Sequence, residues 1–578
     1  MRLNGKVWII GACLIMAAPK LATLFSQNIF LELNLNSQAV QGMIRSVRPR
    51  PALEIFRVIE RAGNDRRVGG IILNVASYNA GQETLWELRN ALEKFKSRGK
   101  KICAFISGAD LDLYCLATVA DRIVMDGQGV LTLLGYTWGR GYVRGSLEKL
   151  GIGVRELRYL EYKSANEMFT RDSLSDADRV QYGEILDDIM ALARDTVTKA
   201  RSWNPGEFDS ILNDEFMFSA KSALERGLVD RTGRKDAVIE ALKEISGLEK
   251  IENFFIYGDS ETSLSGSGFA YKPARAGNLL YRPPVIAVIY ANGVTDMERG
   301  IAAWSLASAI REASQKRRVK AIVLRINSPG GSAEAADYVA EAVKFAKKRV
   351  PVVVSMGAVA ASGGYWASMS ASHIVASPVT VTGSIGVIGS WFYDNGLNGR
   401  LGLTVDSLQR GSHADMQSGI ILPRRDLREE EEARYRDFIL DMYADFTAKV
   451  AENRGMDIER VESAAQGRVF SGTGALKAGL IDSIGGLDDA VSTARALAKI
   501  PGGKKTAFRE YPKPKFLDRM MDRVLSSKVS GGGRAALFEA ASLAAGLFLP
   551  VEFLEEFRYR VANNGRVMPV LPIGGGFY

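Results

Sequence analysis

Apolar residues in this chain follow two recurring patterns. One is the short unbroken run: Gly69–Val75, Lys101–Ser107, Arg122–Met125, Ala321–Ile326 and Val352–Val354. Runs of this length, rich in Ile and Val, predict strands buried within a sheet. The other is a recurrence every three or four residues. Between Glu83 and Arg98 it puts Leu85, Leu88, Leu92 and Phe95 on one face, which predicts a helix. A shorter helical stretch covers Leu113–Ala120, and a long one runs from Ser175 to about Ala200. Ser175 suits the cap of that helix, and Asp176 and Asp178 suit the positive end of its dipole. Short strands alternating with helices imply parallel βα units and an α/β fold.

The pattern occurs twice. Arg66-Arg-Val-Gly-Gly-Ile-Ile-Leu matches Arg317-Arg-Val-Lys-Ala-Ile-Val-Leu, 251 positions later. Tyr114 matches Tyr365, Ala120-Asp-Arg-Ile-Val matches Ala371-Ser-His-Ile-Val, and Gly151-Ile-Gly-Val matches Gly402-Leu-Thr-Val, all at the same offset of 251. Further on, Phe218-Ser and Gly227-Leu-Val-Asp match Phe470-Ser and Gly479-Leu-Ile-Asp at 252. So small a drift over so long a span implies a duplicated domain.

The copies differ where chemistry is concentrated. Ser362 corresponds to Leu111, the Gly330-Gly331 pair to Asn79 and Ala80, and Ser384 to Leu133. In the other direction, Lys163 corresponds to Ala414. One copy keeps a serine and its glycine loop, and the other keeps a lysine. This predicts one composite site, shared between the halves of a chain or between neighbouring subunits. The alternative is independent drift of two structural domains.

Composition narrows the class. The chain has 578 residues, 47% hydrophobic and 24% charged, as expected of a packed globular protein. Its net charge of +9 is modest for that length, and no Lys/Arg run is interleaved with aromatics. Nucleic acid is therefore not an expected partner, whereas an anionic membrane surface is. Cys13, Cys103 and Cys115 form neither a metal-spaced cluster nor a disulfide framework, and His373 and His413 are the two histidines. No metal and no cofactor is expected. At the amino terminus, Arg2 and Lys6 precede an apolar run from Val7 to Ala18, the layout of a signal peptide or anchor. The favoured reading is an anchor with the body outside the cytoplasm, although Pro19 and Lys20 interrupt the run. A polar linker, roughly Tyr257 to Pro284, separates the copies. Beyond Gly503, an amphipathic stretch around Phe516–Leu525 and an apolar run from Ala535 to Leu549 form an extension that packs on the body or lies on a membrane.

The densest candidate chemistry is Ala360-Ala-Ser-Gly-Gly-Tyr-Trp366, in which small residues flank Ser362 and would let a substrate backbone approach. A serine hydroxyl needs a base to become a nucleophile. Lys163, within Glu161-Tyr-Lys-Ser-Ala165, can be that base if burial keeps it neutral, against a reference pKa of about 10.4. Ser384, in Thr382-Gly-Ser-Ile-Gly386, could hold the amine in line. Ser328-Pro-Gly-Gly331 follows a predicted strand and, with the Gly363 N–H, could supply oxyanion donors from Gly330 and Gly331. His413, beside Ala414, and His373 are the competing bases. The nucleophile-elbow motif G-x-S-x-G is not met, because residue 360 is alanine.

Taken together, Asn327-Ser-Pro-Gly-Gly, Ala360-Ala-Ser-Gly-Gly-Tyr-Trp, Thr382-Gly-Ser-Ile-Gly and Tyr162-Lys-Ser-Ala resemble the motifs of the long-form signal peptide peptidase A (protease IV) family of Ser-Lys peptidases. The resemblance covers about residues 40 to 500. It implies Ser362 as nucleophile, Lys163 as general base and Ser384 as the residue that holds the lysine. It implies two tandem ClpP/crotonase-like α/β domains, a membrane-anchored tetramer on the extracytoplasmic side of a bacterial inner membrane, and cleaved signal peptides as substrates. The expected organisation is an amino-terminal segment (1–35), a first repeat supplying the lysine (36–250), a linker (251–284), a second repeat supplying the serine (285–500) and an extension (501–578). A non-catalytic peptide-binding scaffold and a crotonase-type acyl-CoA enzyme are the rival functions.

Overall fold

The computed structural model describes residues 29–35, 50–75, 80–249, 251, 253–257, 282–502, 504–511 and 575–577. The amino-terminal apolar run, most of the linker and most of the carboxy-terminal extension lie outside the described residues. The chain divides into two compact units. The first comprises the described residues up to Gly135 together with those from Ile189 to 257. The second comprises Tyr136–Asp188 and the described residues from Arg282 onward.

Each unit is built on a mainly parallel sheet. In the first, the strand order is Met217–Ser219, Arg122–Thr132, Lys101–Ala109, Val68–Val75, Ile29–Asn34, Asn253–Tyr257. In the second it is Val469–Phe470, Val381–Gly383, Val352–Ala361, Val319–Ser328, Val285–Asn292, Ala507–Tyr511. The outermost strand at one end, Met217–Ser219 or Val469–Phe470, is antiparallel to its neighbour in both. The predicted runs are these strands, extended by a few residues: Val319–Ser328, for example, continues past the Ala321–Ile326 run to the start of the glycine loop. The long helix predicted from Ser175 spans Asp176–Arg201, and the helix predicted from Glu83 spans Gln82–Lys96.

The duplication extends to single hydrogen bonds. Tyr114 donates its hydroxyl proton to the Leu228 carbonyl (2.7 Å), as Tyr365 does to that of Leu480 (3.0 Å). The Asp230 carboxylate accepts from the Ile123 amide (2.6 Å), as that of Asp482 does from Ile374 (2.7 Å). These bonds explain why Gly-Leu-Val/Ile-Asp recurs: its carbonyl and carboxylate tie the helix after one strand and the start of the next. At the positions of Ser362 and Ser384, the first unit buries Leu111 and Leu133.

The core of the second unit lies between its sheet and the helices Ala303–Gln315, Ala333–Lys347 and Glu429–Arg454. Leu157 and Leu160, from the first repeat's sequence, belong to it. The strand Ile152–Leu157 pairs antiparallel with Gly389–Asp394, and Ile152, Met168 and Phe169 pack with Phe392 and Leu422. The segment that carries Lys163 is thus a fully packed part of the unit that carries Ser362.

Candidate active site

Strand Val352–Ala361 runs straight into Ser362, and helix Gly363–Met369 begins at the next residue. Ser362 has φ 56° and ψ −113°, a sparsely populated region for a residue with a Cβ. Such a conformation costs on the order of 1–3 kcal/mol and must be held by its surroundings. Here the Ser362 amide donates to the Gly383 carbonyl (2.8 Å), and the Ser362 carbonyl accepts from the Trp366 amide (2.8 Å). The turn has the strand–serine–helix geometry of a nucleophile elbow without its sequence motif. Gly364 is needed because a Cβ there would lie 2.6 Å from the Ser328 carbonyl oxygen.

Lys163 is 1% exposed. Its Nζ lies 2.7 Å from Ser362 Oγ, 2.8 Å from Ser384 Oγ and 2.8 Å from the Ser384 carbonyl oxygen. Ser384 presents both of its oxygens to one amine because its backbone is left-handed, with φ 52°. Its amide donates to the Arg468 carbonyl (2.7 Å). Ser362 and Ser384 are themselves 0% and 1% exposed, so the three polar groups meet in a buried site.

The glycine loop is fastened by Thr295, a residue that the sequence analysis missed. The Thr295 amide donates to the Gly330 carbonyl (2.7 Å), and the Thr295 carbonyl accepts from Ser332 (2.7 Å). These bonds form a parallel bridge between Thr295 and Gly331, which leaves the Gly331 N–H pointing away from Thr295. Gly331 has φ 153°, and a Cβ there would lie 2.2 Å from the Thr295 oxygen. A Cβ on Gly363 would lie 3.2 Å from Gly331 N and 3.2 Å from Gly330 Cα, so the loop and the start of the serine's helix are in contact. The Gly330 N–H is directed at Ser328 Oγ (3.3 Å). Gly363, as the first helical residue, has an N–H that precedes the helical ladder.

The two histidines have other partners. His373 Nε2 is 2.9 Å from Ser483 Oγ, and His413 Nδ1 is 2.9 Å from Glu431 Oε1. Ala414, the counterpart of Lys163, is exposed. Cys103 is buried in the first unit, and burial pushes its thiol up to about 12, far from a reactive thiolate.

Two further residues that the sequence analysis missed shape the lysine's surroundings. Gly467 has φ 83°, and its α-carbon lies flat against Lys163: a Cβ there would be 2.5 Å from Lys163 Cβ. Gln181, on the long helix, donates to the Tyr162 carbonyl (3.2 Å) and accepts from the Val469 amide (3.0 Å). A φ that only glycine tolerates easily has no signature in one sequence, and Gln181 looks like any polar residue on a helix.

Two ClpP-like α/β units, one with a buried serine at a strand-to-helix turn beside a buried lysine, define a class: the ClpP-like hydrolases. The model of peptidase family S49 matches residues 94–249 and 344–501, once in each repeat. The Clp protease model matches residues 297–376. The chain is 33% identical over 506 residues to Protease 4 of Salmonella typhi, covering 84% of this chain and 77% of that one. It is 31% identical over 462 residues to the chloroplastic serine protease SPPA of Arabidopsis thaliana, covering 78% and 67%. It is 27% identical over 518 residues to Protease 4 of Haemophilus influenzae, covering 87% and 81%. The chain belongs to peptidase family S49 and is a serine peptidase.

Proposed function

We propose that this peptidase works through a Ser362–Lys163 dyad. The observation that carries the proposal is the 2.7 Å separation of Lys163 Nζ and Ser362 Oγ in a buried site. An ammonium there would be stripped of water, and the two hydroxyls and the carbonyl that lie 2.7–2.8 Å from it are uncharged partners, so desolvation favours the neutral amine. A neutral amine has two N–H bonds and one lone pair. The N–H bonds match the hydroxyl and carbonyl oxygens of Ser384, and the lone pair matches the Ser362 O–H.

In the proposed reaction, Ser362 Oγ attacks the scissile carbonyl as its proton passes to Lys163. The oxyanion sits between the N–H groups of Gly363 and Gly331. Gly330, whose N–H turns to Ser328, contributes the shape of the loop. Lys163 then gives the proton to the leaving amine; in the second half water attacks the acyl ester as Lys163 takes its proton, and the lysine returns that proton to Ser362 Oγ as the acid product leaves. Each oxyanion donor is worth roughly 3 kcal/mol of barrier. The proposed substrates are extended hydrophobic peptides, cleaved signal peptides among them. Ser362→Ala and Lys163→Ala should each abolish cleavage of such a peptide while leaving the melting temperature near that of the parent. Normal turnover by Lys163→Ala would remove the lysine from the mechanism.

We also propose a homo-oligomer, a tetramer in the form suggested by the sequence motifs. The stretch 403–408 corresponds to the strand Ile152–Leu157 yet forms no strand, and Leu408 is 97% exposed, with Leu401, Ile420 and Ile421 also exposed. Coverage of that surface by a second copy accounts for the exposed leucines. Leu408→Asp should lower the molar mass measured by light scattering, and an unchanged mass would count against this surface. Among the described residues no helix is long and apolar enough to cross a membrane. The proposed anchoring to a bacterial inner membrane, with the body on its extracytoplasmic side, rests on the segment before residue 29. Deleting residues 1–28 should release the protein into the soluble fraction, and persistent membrane association would oppose that assignment.

A further inference from the structure

A base in a dry site is only as well placed as the backbone beneath it, and Lys163 lies in a turn between the strand Ile152–Leu157 and the short helix Glu167–Thr170. The turn is tied down residue by residue. The Tyr162 amide donates to the Gln466 carbonyl (2.9 Å). The Ser164 carbonyl accepts from Arg140 (3.0 Å), whose guanidinium also pairs with Asp178 (3.0 Å). The Tyr162 carbonyl accepts from Gln181 Nε2 (3.2 Å).

Gln181 does more than any other residue of this set. It is 1% exposed and one helical turn beyond Asp178, whose Oδ1 accepts from its amide at 2.6 Å. The same Nε2 lies 3.4 Å from Ser164 Oγ. Its Oε1 accepts from the Val469 amide, and Val469 pairs with Gly383, the residue before Ser384. One side chain thus joins the backbone just before the lysine to strand Val469–Phe470, which pairs with Val381–Gly383, the strand that leads into the orienting serine.

We infer that Gln181 is a positioning residue of this peptidase: its amide fixes the Tyr162–Ser164 turn against strand Val469–Phe470 and so sets the reach of the Lys163 amine to Ser362 and Ser384. The inference rests on the Ser362–Lys163 reading above. Without the clamp, the Tyr162 carbonyl and the Val469 amide each lose a buried partner and the turn loosens. Water then reaches the amine, the ammonium is favoured, and the serine loses its base at neutral pH. The charged groups around the turn are Glu161 within it, Arg140, Glu156, Arg158, Glu167 and Asp178 on one side and Arg468 with Glu184 on the other, and burial pushes the Glu156 carboxyl up to about 7. Replacing Gln181 with a neutral residue changes the charge of none of them, and of these groups Asp178 loses the hydrogen bond from the glutamine amide.

The test is the pH dependence of kcat for Gln181→Met, similar in volume and unable to accept or donate in this way. Enzyme is counted by titration of its reactive serine, so that an inactive fraction does not enter. The acid limb should move to higher pH, with kcat at neutral pH falling about tenfold for each unit of displacement and recovering at alkaline pH. A purely structural glutamine would lower the melting temperature and the titratable fraction without moving the limb, and that result would overturn the inference. Gln181→Asn keeps the amide but is one methylene too short to span both partners. It is read in the same way and covers failure of the methionine variant to fold. Lys163→Ala, run alongside, separates the two levels. If it turns over normally, the dyad is wrong. If it is inactive while both Gln181 variants keep the parent's limb, only the role of Gln181 is wrong.

Discussion

Gly467→Ala perturbs the site without touching any group that reacts. Gly467 lies 304 positions from Lys163, yet an added Cβ would stand 2.5 Å from Lys163 Cβ, 2.6 Å from its Cα and 2.7 Å from its N. Carbon atoms settle at about 3.5–4.0 Å, so roughly an ångström of separation has to open. The crowding atoms are backbone and Cβ, which cannot swing aside as a side-chain tip can. Alanine at φ 83° adds about 1–2 kcal/mol of left-handed strain and overpacking about 1–3 kcal/mol, so the loss of stability should be about 2–5 kcal/mol. Displacement of Lys163 by about an ångström takes its Nζ from 2.7 Å to beyond hydrogen-bond reach of Ser362 Oγ and should cost on the order of 10²-fold in kcat. KM should change little, because no substrate contact is removed. The assay is steady-state cleavage of a fluorogenic hydrophobic peptide, with enzyme counted by serine titration and stability read from thermal melting. Gly399→Ala is the control: a Cβ there meets nothing within 4 Å, and its effect should stay within about 0.5 kcal/mol. A folded Gly467→Ala with the parent's kcat would refute the argument that this glycine sets the position of the lysine.

Ser384→Ala removes one of two Ser384 oxygens from the amine and leaves the carbonyl at 2.8 Å, so kcat should fall roughly fivefold to thirtyfold, for about 1–2 kcal/mol, rather than vanish; full inactivation, or none, in peptide hydrolysis would contradict that partition. Gly363→Ala brings a Cβ to 3.0 Å from Thr295 Oγ1 and 3.2 Å from Gly331 N, which should push the loop off the oxyanion and lower kcat by about tenfold, part of one donor's worth, with Lys163 and Ser384 unmoved; an unchanged kcat would deny the loop that role. Arg425 beside Glu431, with the Arg428 amide and His413, holds the Glu431 carboxyl well below the usual carboxylate range. A depressed carboxyl stabilises the fold above its unfolded value and loses that contribution as pH falls, so the melting temperature should drop from about pH 4 downward, and Glu431→Gln should flatten that limb; equal slopes in parent and variant would show that other carboxylates dominate.

Much of the site was legible because the chain contains its own comparison. Setting Ser362 against Leu111 and Lys163 against Ala414 singled out the two residues whose side chains meet at 2.7 Å. The strands were legible for a related reason: apolar runs such as Val68–Val75 and Ala321–Leu324 are buried on both faces and carry no ambiguity of period. The question of whether serine and lysine meet within a chain or across subunits stayed open, since offset arithmetic says nothing about where a segment packs. The structure has them meet within one chain, because Ile152–Leu157 pairs with Gly389–Asp394. Thr295, Gln181 and Gly467 were not legible. Their roles come from a parallel bridge, a buried amide and a backbone contact, each joining residues far apart in sequence. The strained φ of Ser362 was equally hidden, since Ala360 breaks the motif that usually announces such a turn.

The most direct test of the dyad is stoichiometric acylation of Ser362 by a serine-reactive probe, measured by intact mass in the parent and in Lys163→Ala. The account predicts one adduct per chain on Ser362 in the parent, formed faster as pH rises, and none in Lys163→Ala over the same time. Equal labelling of the two proteins, or an adduct on another serine, would contradict it.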